Sequence, residues 1–179
     1  MKIEDLLERE RLALGKELGP SRWRDVRQSD IGDFGRCTYD PDPMHVDPEW
    51  ARTHSPLGGT IAFGFWTLSM TTAMLHELHG GQDGGQYENI DHADLIGINY
   101  GCDRLRFIEP VPVGGRIRAR ATLVSVEAVA VDRLLRSIDV TVEIEHKQRP
   151  ALVARWLSMT LLPRHSMSLA GLRPTPSNS

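Results

Sequence analysis

Thr60 to Leu75, TIAFGFWTLSMTTAML, is a run of 16 residues without a charge, and its reading decides the fold. A membrane-spanning helix needs about 20 predominantly apolar residues. This run is shorter, and it carries Gly64, Ser69 and several threonines. Ile61, Phe65, Leu68, Thr72, Leu75 and Leu78 recur at steps of three and four, and apolar residues occupy the other faces too. That pattern predicts a helix from Ile61 that is buried nearly all round.

Downstream the period changes from three and four to two. In SIDVTVEIEH, Ile138, Val140, Val142 and Ile144 alternate with Ser137, Asp139, Thr141, Glu143 and Glu145, the signature of a strand with one wet face. GRIRARATLVSVE alternates likewise and then slips near Leu123 and Val124, which suggests a bulge. INYGCDRLRFI and ALVARWLSMTLL supply two further strand candidates. One buried helix followed by several long strands predicts an α+β domain in which an antiparallel sheet wraps a single central helix.

Upstream, residues 1–20 read as an amphipathic helical extension, with Ile3, Leu6, Leu7 and Leu12 among charges and a stop at Gly19-Pro20. Trp23 and Val26 look strand-like, and Ser29 is a candidate N-cap for a helix over Ile31 to Arg36. Next comes YDPDPMHVDPEW, Tyr39 to Trp50. Pro41 and Pro43 bias Asp40 and Asp42 away from helical torsions, so this segment is expected to be stiff and extended. Asp47-Pro48-Glu49 then matches a helix start: Asp at the N-cap, Pro in the first position, an acid in the first turn. The main domain is assigned to residues 21–163. Gly80 to Leu95 reads as a polar, mobile loop, and residues 164–179 as a disordered tail.

Composition narrows the function classes. A length of 179 residues suits one domain. With 21 Lys and Arg against 24 Asp and Glu, there is no global charge favouring nucleic acid or an anionic membrane. Cys37 and Cys102 are too few for a disulfide framework, and no basic and apolar leader opens the chain, so a cytoplasmic setting with both thiols reduced and buried is expected.

Taken together, YDPDPMHVDPEWA, GGTIAFGF and INYGCDRLRFIEPVPVGGRIRARATLVSVE resemble the MaoC-like dehydratases, the hotdog-fold family that includes the (R)-specific enoyl-CoA hydratases and a nodulation protein N branch. The similarity spans roughly Trp23 to Leu162. The family motif Asp-x-Asn-Pro-x-His stands here as Asp40-Pro41-Asp42-Pro43-Met44-His45. Asp42 replaces the usual Asn and is read as a turn-stabilising cap. The resemblance implies that Asp40 and His45 jointly hold a water that adds to a trans-2-enoyl-CoA, without a cofactor, in a homodimer. It assigns the oxyanion role to Gly64 of Ala62-Phe63-Gly64, where the family has Ala-His-Gly. Phe63 is therefore a departure that bears on substrate binding, and Thr72 falls where a hydroxyl can stand near the pair. The chemistry calls for such parts: a base for water, an acid for the α-carbon, and a donor where negative charge develops on the thioester oxygen.

Competing readings attach to particular residues. His76 and His79 flank Glu77, but the spacing is not that of a His-Glu-x-x-His zinc site, and histidines late in a helix suit its dipole; no metal is expected. Asp91 and His92 read as solvated loop residues, with a lid role as the alternative. Arg104, Arg106, Arg116, Arg118 and Arg120 read as a charged outer face, some of them available to coenzyme A phosphates. A hotdog thioesterase would want a carboxylate on the central helix, and Ile61 to His76 has none. A non-catalytic acyl-binding or partner subunit is the remaining alternative.

Overall fold

The computed structural model describes residues 3–78 and 95–162. The segment read as a mobile loop, with Asp91 and His92, falls outside the described residues except for Leu95, and so do His79 and the tail. Four long strands, β3 (Ile96–Phe107), β4 (Arg116–Ala130), β5 (Arg133–Ile144) and β6 (Leu152–Leu161), and two short ones, β1 (Glu17–Leu18) and β2 (Arg24–Asp25), form one sheet. Its order is β1-β4-β5-β6-β3, with β2 also on the free edge of β4, and every pairing is antiparallel. The central helix, α5 (Gly64–Leu78), lies against it.

Alternation places the core. Ile138, Val140, Val142 and Ile144 of β5 are buried and share a face with Ile117, Ala119, Ala121 and Leu123 of β4 and with Leu152, Ala154 and Trp156 of β6. Trp66, Met74 and Leu75 of α5 join the same apolar cluster. Burying a side chain such as Met74, which is wholly enclosed, contributes about 1.5–3 kcal/mol. The slip in β4 is a register shift between Leu123 and Ser125.

Helix α5 differs from expectation in two respects. It begins at Gly64 because the preceding residues are drawn into the sheet side: Ala62 N–H donates to Val111 O (2.8 Å), Val113 N–H donates to Thr60 O (3.0 Å), and Ile61 bridges Pro112. It is also open along one stripe, where Phe65, Ser69, Thr72, Ala73 and His76 are exposed, since the sheet covers only its other side. The neighbouring edge strand β3 is exposed along nearly its whole length.

The wet face of the sheet carries ion pairs. Glu143 takes Arg118 (2.6 Å) and Arg120 (2.8 Å), Glu145 takes Arg116, and Arg155 meets both oxygens of Asp139 at 2.8 Å. Trp23 stacks beneath Arg118, 4.4 Å from ring centre to guanidinium. The β4 arginines are thus engaged with acids, while Arg106 donates to the carbonyl of Leu105. The Arg155 bond holds the Asp139 carboxyl below its ordinary 3.8. For Glu143, burial pushes upward, but the two guanidinium bonds outweigh it and the net shift is below 4.5. Groups depressed on folding stabilise the protein above their unfolded values, and that stability is lost as the pH falls through the folded ones. Glu143→Gln should therefore lower the urea midpoint at pH 7, with the gap to wild type closing below about pH 4. A constant gap from pH 7 to pH 3 would contradict this.

Other expectations need correction. The helix predicted over Ile31–Arg36 is α2 (Gln28–Thr38), with Arg27 rather than Ser29 at its N-cap; Ser29 lies within the first turn and bonds Asp30. Cys37 and Cys102 are free but exposed, Cys102 because its strand is the uncovered edge. The N-terminal helix, α1 (Ile3–Arg11), packs against the sheet. Its Ile3 and Leu6 form a second apolar cluster with Val126 and Leu134 of the sheet, and Glu10 reaches Arg136 at 2.6 Å.

A candidate active site at the start of the central helix

The stretch expected to be extended is so only as far as Asp42. There the Asp42 carboxylate accepts Met44 N–H at 2.9 Å, and Pro43 opens a single helical turn, α3 (Pro43–Val46). Asp47 ends that turn and caps the next, α4 (Pro48–His54), accepting from the N–H groups of Glu49 and Trp50 at 3.0 Å. His45 is thus fixed on a short turn bounded by two aspartate caps, each worth about 1 kcal/mol.

Its imidazole has a defined orientation. Nδ1 lies 2.8 Å from the carbonyl oxygen of Ile61. A carbonyl can only accept, so Nδ1 carries the proton and Nε2 is left with a lone pair. The ring lies on Phe63, with centroids 3.9 Å apart and planes inclined by 32°, and Phe63 in turn meets Phe34 at 5.3 Å. The backbone is tied as well: Gln28 donates its side-chain amide to His45 O (2.8 Å) and accepts from the Thr60 hydroxyl (2.5 Å).

His45 and Gly64 line one cleft of about 310 Å³, together with Ile61, Thr67, Phe107 and Glu109 among others. Gly64 is the first residue of α5, and the first backbone bond of that helix runs from Thr67 N–H to Phe63 O (3.0 Å). The N–H groups of the first turn have no intrahelical acceptor and sit at the positive end of the helix. A side chain at Gly64 would place its Cβ 3.1 Å from the Phe107 ring, so glycine keeps this donor reachable beside a bulky neighbour.

The remaining predicted site residues lie apart from that wall. Asp40 is exposed; one of its carboxylate oxygens accepts Asp42 N–H at 3.2 Å, and it does not line the cleft. Phe63 is buried behind His45. Thr72 sits on the open stripe of α5, away from the cleft lining. Thr67 does line it, one turn on from Gly64, a spacing that could have pointed to it, and its hydroxyl donates to Phe63 O (3.2 Å). Glu109 is paired with Arg149 at 2.9 Å, and no local pattern signalled it. Among the described residues no group of three or more His, Cys, Asp or Glu could hold a metal. Partial burial of its sulfur, and secondarily Asp103, push the Cys102 thiol up, away from the thiolate a nucleophile needs, although the residue is exposed as a whole.

A sheet wrapped on one helix, with its cleft at that helix's start, is the hotdog fold, which solved structures share. A monoamine oxidase regulatory protein from Archaeoglobus fulgidus matches with a TM-score of 0.68 at 24% identity over 84% of this chain and 92% of that one. The (R)-hydratase from A. caviae matches with a TM-score of 0.60 at 19% identity, over 84% and 96%. The chain belongs to the MaoC-like domain family, whose model matches residues 10–148. It is 41% identical over 148 residues to nodulation protein N of Rhizobium leguminosarum bv. viciae, covering 82% of this chain and 85% of that protein. It is 37% identical over 142 residues to 3-hydroxyacyl-thioester dehydratase Z of Mycobacterium tuberculosis, covering 79% and 87%.

Proposed function

We propose that the protein reversibly hydrates trans-2-enoyl-CoA to (R)-3-hydroxyacyl-CoA. The observation that carries this reading is that His45, its imidazole held by Ile61 O, and Gly64, the first residue of α5, line the same cleft. Nε2 of His45 takes a proton from water, and the hydroxyl adds to the β-carbon of the conjugated acyl group. The electron pair displaced toward the thioester oxygen meets the Gly64 N–H, and the α-carbon then accepts a proton. As the family resemblance implies, Asp40 would hold the same water with its second carboxylate oxygen, and the proton taken up at Nε2 of His45 is the one that returns to the α-carbon. The resemblance of the chain to a 3-hydroxyacyl-thioester dehydratase supports this reaction class, and the fold it shares with an (R)-hydratase is compatible with the stereochemistry. We place the enzyme in the cytoplasm, as a homodimer joined along the exposed β3 edge and the open stripe of α5.

A thioesterase reading fares worse. The one carboxylate on α5 is Glu77, which is bound to Arg24 (2.9 Å) and to the N–H of Arg22 (2.8 Å). It stands about 20 Å along the helix from Gly64 at 1.5 Å per residue. A non-catalytic or partner subunit is the alternative that the nodulation protein N relatives keep in view. Incubation with a 2-enoyl-CoA should remove the absorbance of the enoyl conjugation and release no thiol. Thiol release from saturated acyl-CoA would favour the thioesterase. Tight acyl-CoA binding without turnover would favour the partner subunit.

A further inference from the structure

We propose that Phe63 is a positioning residue that sets the plane of the His45 imidazole, an inference that rests on His45 as the group activating water. A histidine ring held by one hydrogen bond can still swing about it. Here the Nδ1 bond to Ile61 O fixes one point and the face of Phe63, 3.9 Å away, fixes the plane. Phe63 is itself held firmly. It is 5% exposed, the Phe34 ring lies 5.3 Å off, and its tip abuts α2 where that helix has Gly35. A Cβ at Gly35 would lie 3.3 Å from Cζ of Phe63 and 2.8 Å from Asp40 O, so this glycine makes room for both the ring tip and the bend leading to Asp40.

The same short segment carries both halves of the site. Ile61 O anchors the imidazole, Ile61 N–H donates to Met44 O (3.3 Å), Phe63 backs the ring, and Gly64 follows directly as the helix-end donor. The spacing between base and donor is therefore set within residues 61–64, and a phenyl group suits the middle of it. It offers a flat apolar face without a polar atom that would need a partner in the core. This accounts for phenylalanine in the position where the family motif has histidine.

The test uses histidine-labelled protein, with the His45 signals assigned by their loss in His45→Gln. In wild type the His45 ring protons should be shifted upfield by the phenyl face and show a nuclear Overhauser contact to Phe63. Phe63→Leu should return them downfield and lower kcat for enoyl-CoA hydration by about tenfold with KM within about twofold, because a small misplacement of a catalytic group is costly in rate. Phe63→His keeps a flat ring without reaching Gly35, and should hold kcat within about threefold of wild type. Unshifted wild-type signals without the Overhauser contact would overturn the proposal, as would a Phe63→Leu protein with unchanged kcat or a Phe63→His protein as slow as Phe63→Leu. Should Phe63→Leu not fold, the wild-type contact and the Phe63→His rate decide. Wild-type protein with the ring shift intact but no hydration would count against the hydratase reading instead.

Discussion

His45→Gln is expected to lower kcat for hydration by about 10²- to 10⁴-fold, while leaving the urea midpoint close to that of wild type. Glutamine is a suitable probe because its neutral amide is close to the imidazole in length and polarity, so the α3 turn that carries it should persist even without the Nδ1 bond to Ile61 O. What it cannot do is accept a proton from water in the way Nε2 can. A 10³-fold loss corresponds to about 4 kcal/mol of transition-state stabilisation, carried by a single proton transfer. Asp40→Asn is the companion experiment. Asparagine retains an oxygen for the Asp42 N–H, so the bend survives, and hydration should still fall by about 10²-fold or more if this carboxylate holds the water. Wild-type-like initial rates in both purified variants would refute the assignment of the pair.

That His45 and Gly64 belong to one site was implied by the family resemblance of their two segments, which also placed Asp40 there although it does not line the cleft. The prolines and aspartates marked the His45 segment as stiff and the Asp47 helix start, but the turn at Pro43–Val46 was read as extended, while the uncharged run marked the central helix. The strands were equally legible, since a two-residue period survives wherever one face is wet, and even the slip in β4 left its mark at Leu123 and Val124. The central helix was overextended to Ile61 because apolar periodicity does not distinguish a helical residue from one paired with Pro112 in a bridge. Part of its open stripe looked like core for a related reason: sequence records that Phe65 is hydrophobic, not which surface covers it. The same limit applied to Cys102 on the uncovered edge. Phe63 and Gln28 could not be recognised as supports of His45, because their contacts join segments 17 or more residues apart and depend on how three short helices pack.

Glu10 illustrates this limit most strongly, and its removal should have the largest effect on stability. In the sequence it is one of many charges on an amphipathic helix, yet its side chain is 1% exposed and lies 2.6 Å from Arg136 of β5, whose side chain is 11% exposed. Arg136 also donates to Thr160, while its Nε is buried without a partner. Replacing Glu10 by alanine would leave a guanidinium in low dielectric without this counter-ion, at a cost of about 3–5 kcal/mol. The nine residues of α1 are too few to be helical alone, so the expected route of failure is undocking of α1 from Val126 and Leu134. Backbone amides of α1 should then lose protection from hydrogen exchange, and the urea midpoint should fall. The double variant Glu10→Leu with Arg136→Met should recover most of the loss, because an imperfectly satisfied buried pair costs nearly as much in desolvation as it returns in attraction. If Glu10→Ala alone is as stable as wild type, or if the double variant is less stable than the single one, the pair does not act as this buried lock.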